Sequence, residues 1–135
     1  MQPLTGEAVI PARSHDDDVG YDLFCEEGIT LHPGQRYDIH CGVAVAIPPT
    51  LYGRITGRSS SVRKGLLIHE GIIDPGYRGP LLAYATNISD EPIRVNRHDR
   101  IAQLIFLPAI RPELHVVSAL PASERGAGGL GSTGE

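Results

Sequence analysis

Apolar residues recur along this chain in short runs that alternate with polar ones or are rich in β-branched side chains. The runs are CGVAVAI (41–47), in which Val43, Val45 and Ile47 point one way, PLLAYATNI (80–88), EPIRV (91–95), RIAQLIFL (100–107) and ELHVVSAL (113–120). A period of two marks half-buried strands, and many short strands separated by turn residues predict an all-β sandwich or barrel. The breaks fall at HPG (32–34), IPP (47–49), DPGYRGP (74–80) and LPA (107–109), so helices of three turns have no room. One segment departs from the pattern. RSSSVRKGL (58–66) predicts a single helical turn, capped by Ser59 and ended by Gly65.

The pattern changes near Ala122, after which apolar residues nearly vanish. This divides the chain into an expected β-domain over 1–122 and a flexible C-terminal arm over 123–135. The last eleven residues, RGAGGLGSTGE, hold five glycines. Within them GAGGLG (126–131) has the form of the dinucleotide-binding fingerprint GxGxxG, which requires a strand before it and a helix after it. The four residues after Gly131 cannot make that helix. What is left is a backbone that can approach a ligand closely, carrying one guanidinium (Arg125) and two hydroxyls (Ser132, Thr133). That combination suits a polyphosphate clamp, and equally a frayed terminus.

Composition narrows the classes. At 135 residues, 41% hydrophobic and 21% charged, the sequence predicts one ordinary globular domain. A net charge of −4 gives no electrostatic reason to expect nucleic acid or an anionic membrane as partner, so any phosphate must be bound locally. No apolar run reaches the length of a membrane span, and MQPLTGEAVIPARS at the N-terminus lacks the layout of a signal peptide. The location expected from this is cytoplasmic, or the host cytoplasm if the gene is viral. Cys25 and Cys41 have neither CxxC spacing nor a companion histidine pair, which makes them core residues rather than a disulfide framework or metal site.

Three segments carry candidate chemistry. TGRSSSVRKG places Arg58, Ser59 and Ser60 at the start of the helical turn, where orphan N–H groups favour an anion, although a capped turn with a solvated arginine fits too. HEGIIDPGYRG places Asp74 and Tyr77 in a tight turn, and an aspartate before Pro-Gly is also a common turn former. DDDVGYDLF sets Asp22 inside an apolar, strand-like run, where its carboxylate must point to solvent or meet a cation. Asp16, Asp17 and Asp18 read as a solvated loop.

Taken together, the blocks VGYDL, GRSS, GIIDPGYRG, RIAQL and RGAGGLGSTG, in this order, resemble the trimeric dUTP diphosphatase family over nearly the whole chain. The resemblance implies a jelly-roll-like, distorted β-barrel with one short helix. It further implies a homotrimer with active sites at subunit interfaces, a swapped glycine-rich arm that closes over the nucleotide, and Mg²⁺-dependent cleavage of dUTP to dUMP and pyrophosphate. It makes Asp74 the general base and places Tyr77 under the deoxyribose. Gly71, Ile72, Ile73 and Leu82 become the segment whose main chain reads uracil. Arg58, Ser59, Ser60 and Gln103 become phosphate contacts, and Asp22 a ligand to Mg²⁺ through water. In the arm, Arg125 faces the γ-phosphate and Gly131, Ser132 and Thr133 supply donors.

The chain departs from the family's pattern at four positions. Leu130 stands where a phenylalanine usually stacks on the base; such stacking is worth about 1–3 kcal/mol, so Leu130→Phe is expected to tighten dUTP binding. Ser60 and His98 stand where glycine is common, and Val19 where alanine is. The related dCTP deaminases share the GRSS and IDPG wording, but their catalytic glutamate lies on the strand after the turn, where this chain offers Tyr84 and no acid. A regulatory module on the same fold is the other alternative; the sequence leaves open a protein regulator beside catalysis.

Overall fold

Two nine-residue strands, β4 (Arg36–Ala44) and β10 (Arg100–Pro108), form the spines of two four-stranded antiparallel sheets. In this computed structural model, which describes residues 1–127, β4 lies between β1 (Gln2–Pro3) and β8 (Pro80–Asn87), with β6 (Leu66–Ile68) outside β8. In the other sheet β10 lies between β2 (Gly20–Phe24) and β5 (Leu51–Gly57), with β7 (Gly71–Ile73) beyond β5. A third, two-stranded ladder pairs β3 (Ile29–Leu31) with β9 (Ile93–Val95), and the helix α1 (Ser59–Arg63) links β5 to β6. The architecture is the all-β, jelly-roll-like one expected. Among the described residues no helix is long and apolar enough to cross a membrane.

The period of two survives most cleanly in β8, where Leu81, Ala83, Ala85 and Asn87 turn inward while Pro80, Leu82, Tyr84 and Thr86 face out. Leu23, Ile39, Val43, Ile55, Leu81 and Leu104 meet in one core contributed by both large sheets. Burial of such side chains, at about 25 cal/mol per Å² of apolar surface, is what holds the sheets together. Asn87 is fully buried yet satisfied: its amide donates to Leu31 O (2.9 Å) and Glu91 O (2.8 Å), and its oxygen accepts from Ser89 N and Oγ. Cys25 and Cys41 are free, buried core thiols.

Three local expectations are refined. Val43, Val45 and Ile47 are buried as the alternation requires, but Cys41, Gly42 and Ala44 are buried too, because the register of β4 on β8 shifts between His40 and Ala44. The strand gains a second neighbour there: Val43 and Ala44 pair with Pro3 and Gln2 of β1, while Ala44 still pairs with Pro80 of β8. Ser59 does not cap the helix. Arg58 holds the cap position in extended conformation (φ −93°, ψ 147°) with no side-chain cap, and Gly65, at φ +80°, ends the helix as its freedom in the left-handed region allows. ELHVVSAL forms no strand within this chain. A strand exists only against a partner edge, and among the described residues none reaches 113–120.

Candidate active site

Asp22 lies on β2 and is only 8% exposed. The choice left open by the sequence is resolved toward cations. Arg58 Nε reaches Asp22 Oδ1 at 2.9 Å, while Oδ2 accepts from Arg100 Nη1 (3.1 Å) and Ser14 Oγ (3.0 Å). Asp22, Arg58 and Arg100 come from separate elements: β2, the entry to α1, and the first residue of β10. Antiparallel pairing of β10 with both β2 and β5 brings them together, since Gln103 lies opposite Asp22 on one side and Thr56 on the other. A Cβ at Gly20 would collide with the Gln103 side chain, so the glycine of VGYDL lets that glutamine lie across β2. Ser61 Oγ donates to Ile101 O (3.0 Å), which pins α1 against β10.

Around this cluster is an open cavity of about 590 Å³ lined by Ser59, Ser60, Gln103, Arg58, Arg100 and Asp22, with Ser14, His15 and Asp18 on its rim. Asp16 and Asp17 are solvated, but Asp18 turns back: the His15 backbone N–H donates to its carboxylate (2.9 Å) and holds it below the usual carboxylate range. Two guanidinium groups, serine hydroxyls and a primary amide at one cavity suit the oxygens of a polyphosphate.

A second cavity, of about 210 Å³, is lined by Gly71, Ile72, Ile73, Asp74, Tyr77, Pro80, Leu82 and Tyr84. The turn that carries Asp74 is closed by Tyr77 N donating to Asp74 O (3.0 Å), and Tyr77 Oη donates to Pro80 O (3.0 Å), which fixes the ring. No described residue engages the exposed Asp74 carboxylate, which leaves it open to a water. Among the described residues it is the one acid lining this cavity. The strand after the turn contributes Tyr84, a phenol, where deaminase chemistry needs a carboxylate.

The residues expected from the sequence thus fall into two sets that share no lining residue. Arg58, Ser59, Ser60, Gln103 and Asp22 are brought together in the first cavity; Gly71, Ile72, Ile73, Asp74, Tyr77 and Leu82 in the second. Arg125 lies in an exposed turn and lines neither. Leu130, Gly131, Ser132 and Thr133 lie outside the described residues. Sequence reading missed Ser14, Arg100 and Tyr84. Arg100 opens the RIAQL block, but only the pairing of β10 with β2 shows that it faces Asp22.

Among the described residues no group of three or more His, Cys, Asp or Glu could cage a metal. The donors nevertheless suit Mg²⁺, which keeps several waters and is held by one or two carboxylates plus substrate phosphates. Asp22 Oδ1 accepts from one partner and has a lone pair left for a metal-bound water, whereas two adjacent guanidinium groups disfavour direct coordination.

A two-sheet antiparallel β-fold with an arginine-rich anion cavity and an apolar cavity bearing one unengaged carboxylate defines an all-β nucleotide hydrolase. The chain belongs to the dUTPase family, whose sequence profile matches residues 6–134. It is 40% identical over 130 residues to the deoxyuridine 5'-triphosphate nucleotidohydrolase of Cowpox virus (96% of this chain, 88% of the relative) and 43% identical over 134 residues to that of Mycobacterium marinum (93% and 87%). Among solved structures, the Staphylococcus bacteriophage 80alpha dUTPase with dUpNHpp superposes with a TM-score of 0.92 at 33% identity (99% of this chain, 96% of that one). A mutant dUTPase of phage phi11 of S. aureus, described for its structural Mg(II) ion, gives 0.82 at 31% identity (87% and 95%).

Proposed function

We propose that this chain hydrolyses dUTP to dUMP and pyrophosphate in active sites assembled between copies of the chain, with Asp74 as the general base. The observation that carries the shared site is the separation of the two cavities. A nucleoside triphosphate needs an anion cradle and a nucleoside pocket side by side, and in one chain Asp22 on β2 and Asp74 just after β7 stand at opposite edges of a sheet, with β10 and β5 between them. A second observation supports assembly with other copies, a homotrimer by the family resemblance. Ile110, Leu114, Val116 and Leu120 are each 85% or more exposed, in a segment after β10 that is neither helix nor strand. Apolar side chains in a row at that exposure find cover on a neighbouring chain.

In this reading the Asp74 carboxylate takes a proton from a water as that water attacks the α-phosphorus in line. The bond from the α-phosphorus to the bridging oxygen breaks, and pyrophosphate leaves with the electron pair. Arg58 and Arg100, held in place by Asp22, meet the charge on the phosphate oxygens, and Ser59, Ser60 and Gln103 add neutral contacts. Mg²⁺ would be held by Asp22 through water, and when bound it offsets charge on those same oxygens. The fixed Tyr77 ring lies under the deoxyribose and leaves no room for a 2′-hydroxyl. Arg125 from another copy adds a cation at the phosphates, whereas Leu130, Gly131, Ser132 and Thr133, expected beside it, lie outside the described residues.

A pyrophosphate-release assay with Mg²⁺ and dUTP, dCTP, UTP or dTTP tests the reaction. Turnover confined to dUTP is expected; ammonia from dCTP, or no release from any of the four, overturns it.

A further inference from the structure

The nucleoside cavity holds one polar group that the reaction above does not use. Among the described residues, three side chains with polar atoms line it: Asp74, Tyr77 and Tyr84. Asp74 is assigned to the attacking water, and the Tyr77 hydroxyl is already donated to Pro80 O. The Tyr84 hydroxyl is engaged by no described residue, and the side chain is 45% exposed.

The position of Tyr84 along β8 gives it a direction. Pro80, Leu82 and Tyr84 occupy successive outward positions of one strand, so at about 3.3 Å per residue Tyr84 lies some 13 Å beyond Pro80. Tyr77 is fixed at the Pro80 end, beside Asp74. The Tyr84 backbone is equally fixed, since its carbonyl accepts from His69 N (2.8 Å) and the residue pairs with Asp38 across β4. In a nucleotide the phosphates and the base leave the sugar in opposite directions. With the phosphorus at Asp74 and the sugar on Tyr77, the base extends along Leu82 toward Tyr84.

We propose that Tyr84 is a specificity-determining residue at the base end of the pocket, where its ring closes the cavity and its hydroxyl hydrogen-bonds the polar edge of the pyrimidine. This deepens the reading of the site as a dUTP pocket and rests on it. A phenol both donates and accepts, so it can meet a base carbonyl that the main chain leaves open.

Two substitutions separate the ring from the hydroxyl. Tyr84→Phe keeps the wall and removes the hydrogen bond; KM for dUTP should rise about 3- to 10-fold, the worth of one neutral hydrogen bond, with kcat unchanged. Tyr84→Ala should raise KM further and let dTTP, with its 5-methyl group, compete. Inhibition by inorganic tripolyphosphate, which has no base, should be the same in all three proteins. An unchanged KM in both variants overturns the proposal, as does a parallel loss of tripolyphosphate affinity, which would show a general structural effect. Calorimetric binding of dUMP keeps the two readings apart. A wild-type protein that fails to cleave dUTP sinks the proposed reaction, whereas equal dUMP affinity in wild type and Tyr84→Phe sinks the role of Tyr84.

Discussion

Arg58 donates its Nε to Asp22 Oδ1 across 2.9 Å, with the arginine at the entry to α1 and the aspartate in the middle of β2. The pair fixes the Arg58 guanidinium at the edge of its cavity and neutralises a carboxylate that is almost wholly out of water. Breaking it from the acid side leaves Arg58 and Arg100 facing each other without a counter-charge. Asp22→Ala is expected to lower stability by about 1–3 kcal/mol in urea unfolding and to depress turnover as well, because both cations lose their anchor. Arg100→Ala, which leaves the Arg58 contact in place, should cost less stability than Asp22→Ala.

Asp74 and Arg58 line different cavities, which makes subunit complementation the sharpest check on a shared site. Asp74→Asn should lower turnover by roughly 10²–10⁴-fold while leaving unfolding unchanged, since the carboxylate is exposed and unengaged among the described residues. Arg58→Ala should be impaired as well. Unfolding and refolding the two variants together should restore part of the activity, because some mixed assemblies carry an intact Asp74 beside an intact Arg58. Activity of the mixture no higher than the average of its parents counts against the shared site.

His98 has φ +65°, the left-handed region that a side chain enters at a cost on the order of 1 kcal/mol or more. Its ring nitrogen Nε2 lies 3.1 Å from Glu7 O, and the neighbouring Arg97 ion-pairs with Glu7, so the turn straps the N-terminal segment to the barrel. This gives a physical account of a histidine where the family favours glycine. His98→Ala keeps the strain and loses the strap, and should melt below wild type. His98→Gly loses the strap but removes the strain, and should melt above His98→Ala. The reverse order in a thermal scan would show that backbone strain is not the governing term.

Burial pushes the Cys41 thiol up to about 12, from an ordinary value of 9.0, with nearby Cys25 adding to the shift. In the unfolded chain the thiol ionises near its ordinary value, so between about pH 9 and 12 the folded state holds a proton that the unfolded state has lost. Its contribution to stability is therefore whole below about pH 9 and is lost as pH rises toward 12. Cys41→Ala should flatten the fall in urea-unfolding free energy between pH 9 and pH 10.5 relative to wild type. Equal slopes would show that other groups govern the alkaline limit.

The sequence by itself determined the class of the fold and most of the candidate chemistry. Alternation, with proline and glycine at close intervals, is a local property, and strands such as β8 and β10 follow from it directly. Asp22, set in an apolar run, had to reach solvent or a cation for the same local reason, namely the cost of leaving a charge in a medium that cannot solvate it. Only the tertiary structure decided which cations those are, because Arg58 and Arg100 lie 36 and 78 positions further along and reach Asp22 through strand pairing. It also decided that Arg58 and Asp74 line different cavities, that Tyr84 belongs to that of Asp74, and that residues 113–120 form no strand among the described residues. Register and pairing are relations between distant segments, set by which edges and faces are left to meet, and a period of two carries no information about partners.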